Sequence, residues 1–272
     1  MAEGGTIETD DAMRKGVPIR SVSRAIEILQ IINRHGSPTI MEIQKESGLP
    51  YATVFRMIMT LQHEGLIACE QARKRYHPTE LVWSLGTGFQ QHDLLVARGR
   101  PILAELTANF LWPVALSVRV GSRMVVKDST HTQTTQTFIN YYPGYSLPLL
   151  GCGAGRAYVA FCPKEEREII FNAARDSLDE ATLYGLQIVE DDSFLESVRQ
   201  QGYATHARLQ HNETPGKTSS LAVPIFVDGV VRACLAIIYF ENAMSSGEAA
   251  EKYVTPLKEA AERMGAAVSA ES

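Results

Sequence analysis

The chain has 272 residues, 45% of them hydrophobic and 21% charged, with a formal net charge of −5. That composition supports a packed core and excludes global disorder, and no apolar run approaches the ~18 residues that span a bilayer. No signal-peptide apolar stretch opens the sequence, so a cytoplasmic protein with no membrane partner is expected; four dispersed cysteines (Cys69, Cys152, Cys162, Cys234) argue against a disulfide scaffold. The charge is unevenly spread. Residues 12–80 carry ten Lys/Arg and six Asp/Glu, residues 1–11 four acidic groups alone, and the remainder sixteen basic and twenty-one acidic groups. A small basic module ahead of a larger acidic one points to a polyanion met by the front end, with chance asymmetry as the alternative.

In chain order, residues 1–17 are polar and Gly-rich without an apolar period, which reads as a disordered tail. Ser21 to Arg34 puts Val22, Ala25, Ile26, Leu29 and Ile32 on one helical stripe that ends at His35-Gly36. Thr39 and Glu42 have capping-box spacing for a short second helix that stops at Ser47-Gly48. Pro50 opens a third, with Val54, Met57, Ile58 and Leu61 at i, i+3, i+4, i+7. Leu66–Glu70 and Arg75–Pro78 then flank a polar run as a small hairpin. Three short helices and a basic hairpin outline a winged helix-turn-helix over residues 18–80, a plain three-helix bundle being the alternative.

Residues 81–97 read as a linker helix, within a mostly helical stretch to Leu111 that is broken or bent near Gly86-Thr-Gly88 and again at Gly99-Arg-Pro101. Residues 98–272 then form a second domain. Val114–Val120 and Met124–Lys127 make a hairpin about Gly121-Ser122, and Ser219–Val227 and Val230–Phe240 another about Asp228-Gly229. Helical segments fall near Gly155–Cys162, Lys164–Ala174 and Asp191–Gln201, with a last amphipathic helix from about Gly247 to Ala267. Strands at both ends with helices between them make the class α+β: an antiparallel sheet flanked by helices.

Arg20-Ser-Val-Ser-Arg24-Ala-Ile-Glu-Ile-Leu29, Gly48-Leu-Pro50-Tyr-Ala-Thr53-Val-Phe-Arg56 and Glu64-Gly65-Leu66 resemble the IclR family of bacterial transcriptional regulators. Leu147-Pro148-Leu-Leu-Gly-Cys-Gly153-Ala154-Gly155-Arg-Ala157 and Gly202-Tyr203 extend the resemblance through the second half. Trp112-Pro113, Asp128-Ser-Thr130-His131 and Ala160-Phe161-Cys162-Pro163 look most like the members that regulate hydroxyphenylpropionate catabolism. The resemblance implies a GAF-like effector domain, a homodimer or dimer of dimers paired through residues 81–97, operator DNA and a small organic acid as ligands, and RNA polymerase as a further partner. Two departures stand out. Ala52 and Phe55 replace a Ser and a Tyr common in the family's recognition helix, and Ile237 and Tyr239 occupy the region where glyoxylate-type members carry small hydroxyl or thiol groups.

On the third helix, Tyr51, Thr53 and Arg56 fall opposite Val54, Ile58 and Leu61, so they can reach DNA: Tyr and Thr by single hydrogen bonds, Arg56 by a bidentate pair to guanine. The alternative is a solvated helix face. Arg73, Lys74 and Arg75 suit a wing tip on the phosphate backbone or a minor groove, and Arg20, Ser21 and Arg24 suit phosphate anchors. In the second domain the Gly-rich string lacks the strand and acidic partner of a nucleotide site. By the resemblance it is where an effector carboxylate meets the Gly153 and Ala154 N–H groups, with Leu147, Leu149, Ser220, Ile237 and Tyr239 as walls; a turn glycine-rich only for packing is the alternative. Such walls favour an aromatic acid, and hence control of an aromatic catabolic operon.

Two other function classes compete. Cys152 at a helix start could serve an enzyme as nucleophile beside an accessory winged helix, and the front module could dock a protein instead of DNA. No signature joins Cys152 to any histidine, and His206, His211 and Glu213 match no metal-ligand scheme, so neither a metal nor a cofactor is expected.

Overall fold

The structure is a computed structural model that describes residues 19–85, 94–136, 141–177, 180–206 and 218–271. The chain divides into two compact units, Met1–His92 and Asp93–Ser272.

In the first unit, helices α1 (Arg20–His35), α2 (Ile40–Ser47) and α3 (Tyr51–His63) precede a two-stranded antiparallel hairpin, β1 (Ile67–Glu70) and β2 (Arg75–Pro78), and a short α4 (Glu80–Ser84). The Thr39 capping box is formed: Glu42 N–H donates to Thr39 Oγ1 at 3.3 Å, and Thr39 N–H to Glu42 Oε2 at 2.6 Å. Gly48 ends α2 at φ 64°, a left-handed turn that glycine adopts without strain, and Leu49-Pro50 leads into α3. The core is Ile28, Ile31, Ile32, Ile43, Val54, Ile58, Leu61 and Ile67. The α1 stripe differs from the sequence expectation: Val22 and Ile26 are each 52% exposed, and Ile28 and Ile31 are buried instead. Apolar residues at 22, 26, 28, 29, 31 and 32 satisfy more than one helical phase, and the contact with α2 and α3 selects the side carrying Ile28 and Ile31.

The second unit begins with α5 (Leu94–Phe110), which continues through Pro101 without a break. Proline removes one intrahelical hydrogen bond, but buried Ile102, Leu103 and Leu106 hold the helix to the domain. It is followed by β3 (Val114–Val120), β4 (Arg123–Ser129), β5 (Ser146–Pro148), α6 (Gly153–Phe161), α7 (Lys164–Arg175), α8 (Glu180–Val189) and α9 (Asp192–Gln201). Strands β6 (Ala204–His206), β7 (Thr218–Val227) and β8 (Val230–Phe240) and a long α10 (Ser246–Ser269) complete it. The six strands form one antiparallel sheet in the order β5-β4-β3-β8-β7-β6. On one face, α5 and α10 cover Val114, Leu116, Leu221, Leu235, Ile237 and Tyr239. On the other, α6 lies across Ala222, Cys234 and Ala236. The Gly86-Thr-Gly88 break and residues 86–93 of the expected linker helix lie outside the described residues, as do His211 and Glu213.

Candidate functional site

Two sets of side chains carry chemistry, one in each unit. On α3, Val54, Ile58 and Leu61 point inward, which leaves Tyr51, Ala52, Phe55, Arg56 and Met59 exposed and Thr53 half-buried. The Tyr51 and Phe55 rings stack with centroids 6.3 Å apart. Arg56 contributes only its carbonyl, which accepts from Thr60 Oγ1 at 2.9 Å; its guanidinium has no hydrogen bond or ion pair among the described residues. Arg20, Ser21 and Arg24 are exposed on the first turns of α1.

The wing is more divided than its sequence suggests. Lys74, at φ 53°, turns the hairpin tip and donates to Gln71 Oε1 at 3.1 Å; Arg73 is 75% exposed with Glu70 at 3.6 Å. Arg75 does something else. Its Nη1 donates to the Ser37 carbonyl at 2.6 Å and lies 3.6 Å from Glu42, so it braces β2 against the α1–α2 corner instead of projecting from the tip. The sequence places three cations in a row; pairing of Arg75 with Glu70 at the strand end separates the third from the other two.

In the second unit the expected effector walls do not all share a face. Ser220 pairs with Ile238, whereas Ile237 pairs with Leu221 and Tyr239 with Ser219. Directly paired residues point to the same side, so Ser220 faces α6 while Ile237 and Tyr239 face α5 and α10. The Tyr239 hydroxyl accordingly lies 3.5 Å from Ser246 Oγ, at the start of α10. A β-bulge is the cause. The two-residue turn at Asp228-Gly229 pairs Val227 with Val230 and would oppose Ser220 to Ile237; a register shift between Ile225 and Phe226 adds one residue to β8 and flips everything beyond it. The residue on the α6 side is Ile238.

Leu147 and Leu149 do lie with the α6 core, as do Ala154 and Cys152. Farther along the same face Ala115, Val126 and Ile238 carry an aromatic group: Trp112, Tyr141, Tyr145 and Phe240. Trp112 meets Phe240 edge-on at 5.9 Å, and Tyr145 meets Tyr141 and Tyr142 at 5.6 Å each. Burial raises the Tyr141 phenol well above its usual range, partly offset by its hydrogen bond with Thr218. Nothing in the sequence announces this group, because its members come from separate loops and strands.

The Gly-rich string is explained in good part by close packing. A Cβ at Gly155 would stand 1.6 Å from the Leu149 carbonyl oxygen, and one at Gly153 2.8 Å from Ser220 Oγ. Cys152 is the N-cap of α6: its sulfur accepts from Gly155 N–H at 3.4 Å. Burial pushes this thiol up to about 11, against the lowering effect of the Gly155 and Ala154 N–H groups and of the Arg156 charge. A protonated, buried, capping thiol is no nucleophile. Beside the helix start sit two further buried groups, Arg156 and His206. The former donates from Nε to Leu150 O and from Nη1 to Thr205 O, each at 3.4 Å. Burial, and secondarily the Arg156 charge, push the His206 imidazole down to about 4, so it is neutral at pH 7. Among the described residues no group of three or more His, Cys, Asp or Glu is placed to hold a metal, and no helix is long and apolar enough to cross a membrane.

Comparison with known proteins adds the lineage. The model of the bacterial transcriptional regulator IclR C-terminal domain matches residues 89–266, and that of the IclR helix-turn-helix domain matches residues 21–69. The HTH-type transcriptional regulator BhcR of Paracoccus denitrificans is 26% identical over 211 residues, covering 76% of this chain and 72% of its own. The acetate operon repressor of Salmonella typhimurium is 26% identical over 189 residues, 68% of each chain. Among solved structures, an IclR homologue from Microbacterium hydrocarbonoxydans in complex with 4-hydroxybenzoate superposes with a TM-score of 0.63 at 17% identity, over 92% of this chain and 99% of that one. That structural likeness speaks to the fold.

Proposed function

This chain belongs to the IclR family of bacterial transcriptional regulators, and we propose that α3 reads operator DNA while the second unit senses an aromatic carboxylic acid. As a member of that family it is a DNA-binding transcriptional regulator, not an enzyme. The division of labour puts Tyr51, Thr53 and Arg56 in the major groove, Arg73 and Lys74 on the backbone beside it, and Arg20, Ser21 and Arg24 on flanking phosphates. Arg75 serves the wing's position and not the contact.

The observation that carries the effector reading is the aromatic group around Ile238, on the same sheet face as Ser220, Leu147, Leu149 and the start of α6. Rings there offer a stacking wall to another ring, and Ser220 and the Gly153 N–H offer polar contacts at one end. A two-carbon acid gains nothing from those walls. Burying a ring adds about 2 kcal/mol, roughly thirtyfold in affinity. The relative solved with 4-hydroxybenzoate supports the same class of ligand. Control of an aromatic catabolic operon in the cytoplasm follows from that ligand.

Pairing of two chains would set two recognition helices in successive major grooves, roughly 34 Å apart. Exposed Leu81 and Leu85, one turn apart on and just after α4, support pairing near the end of the first unit. Titration calorimetry of the whole protein with 3-(4-hydroxyphenyl)propionate, phenylacetate, glyoxylate and pyruvate tests the effector class. Tighter binding of the aromatic pair is expected; the reverse order overturns the reading.

A further inference from the structure

Helix α3 is apolar on two sides. Val54, Ile58 and Leu61 pack inward, yet Ala52, Phe55 and Met59, at i, i+3 and i+7, lie on the side turned to solvent, with Arg56 at i+4 in their midst. Phe55 is 43% and Met59 48% exposed. A surface helix ordinarily carries polar groups opposite its core stripe, and exposed apolar residues scattered singly need no explanation. A contiguous row of them does. The Tyr51 ring, one turn before Phe55, stacks on it with 16° between the planes, which orders the Phe55 ring before any partner arrives.

The charge around this row decides what covers it. None of the thirteen residues of α3 is Asp or Glu, and Arg56 stands inside the row with its guanidinium unpaired among the described residues. Arg73 and Lys74 are exposed on the wing of the same unit. An apolar groove on another protein would strip Arg56 of water without giving it an acceptor. The major groove of DNA supplies an acceptor and an apolar group side by side: guanine presents O6 and N7, and thymine its C5-methyl. The phosphates on either side meet the wing cations.

We propose that Phe55 reads thymine: its ring packs on the C5-methyl of a thymine next to the guanine that Arg56 binds. The inference rests on the operator reading of α3 above and adds to it a base identity and a specificity residue. Tyr51 positions the ring by stacking, and Ala52 and Met59 extend the apolar surface that keeps water from the contact.

The test takes the full-length protein to a duplex selected from a random library and replaces each thymine singly by deoxyuridine, which removes the methyl and leaves the base-pair hydrogen bonds. Fluorescence anisotropy gives the affinity ratio of thymine to uracil duplex for wild type, Phe55→Ala and Phe55→Leu. Comparing ratios across proteins on the same duplexes cancels whatever the missing methyl does to the DNA itself. The selected site should carry thymine beside guanine, and wild type should lose roughly fourfold in affinity when that thymine becomes uracil, the worth of one buried methyl-sized group. Phe55→Ala should bring the ratio at that position to one, and Phe55→Leu, which keeps an apolar contact, should retain most of it. A selected site at which wild type shows no uracil penalty overturns thymine reading, whichever variants fold, and leaves the operator reading standing. A penalty that survives Phe55→Ala does the same. Selection that enriches no sequence overturns both. Uracil ratios unmoved by Phe55→Ala, with altered sedimentation of the free protein, would give the row to a second copy of this chain.

Discussion

Arg56→Ala separates reading from holding. The Arg56 guanidinium makes no hydrogen bond or ion pair among the described residues, so its removal should change stability by less than about 0.5 kcal/mol. Any effect on DNA is then an effect of the contact itself. A bidentate pair with guanine is worth about 1–3 kcal/mol of discrimination, or roughly fivefold to 150-fold between operator and scrambled duplex. Truncating Arg73 and Lys74 together should weaken both duplexes alike and lower the slope of log affinity against log salt by about 1.8, two phosphate contacts' worth. The assay is fluorescence anisotropy at several salt concentrations, on a duplex selected from a random library and on its scrambled counterpart. An operator-to-scrambled ratio left unchanged by Arg56→Ala, with an unchanged melting curve, would show that α3 presents another face to the bases.

Arg75→Met should lower the melting of the first unit by about 4–8 °C, for the loss of roughly 1 kcal/mol of a part-exposed, charge-assisted bond to Ser37, and leave the salt slope intact; the slope change expected of a tip cation would place it on DNA instead. Gly155→Ala forces a methyl against the Leu149 carbonyl and should cost about 3 kcal/mol, seen in calorimetry as a second-unit transition about 6–12 °C lower; a shift within a degree would refute the close approach. His206 takes up its proton near pH 6.5 when unfolded but only near pH 4 when folded, so the unfolded state binds more protons between those values and stability falls as pH drops through that window. Urea melts of His206→Gln should be flatter than wild type there, while both lose stability below it as carboxylates such as Glu42 and Glu248, held below their ordinary range by capping N–H groups, become protonated.

The winged domain was legible because each of its signals is local. Thr39 and Glu42 make the capping box, Gly48 ends α2, and Val54, Ile58 and Leu61 fix the inner face of α3 within a single helix. The two long hairpins were legible for the same reason, their turns lying at Gly121-Ser122 and Asp228-Gly229. Three-residue strands carry too little alternation to be read, and so β5 and β6 came only from the structure. The length of α5 through Pro101 depends on burial of Ile102, Leu103 and Leu106, which no single-helix pattern reports.

The site failed to read where long-range register decided it. One extra residue in β8 moved Ile237 and Tyr239 to the far side of the sheet, and no turn signal marks that bulge. The Gly-rich string drew attention to its glycines, yet Gly155 is there because Leu149 comes within contact of it. The next residue, Arg156, is buried and reaches the carbonyl of Thr205 on a strand far along the chain, a contact that no local pattern reports.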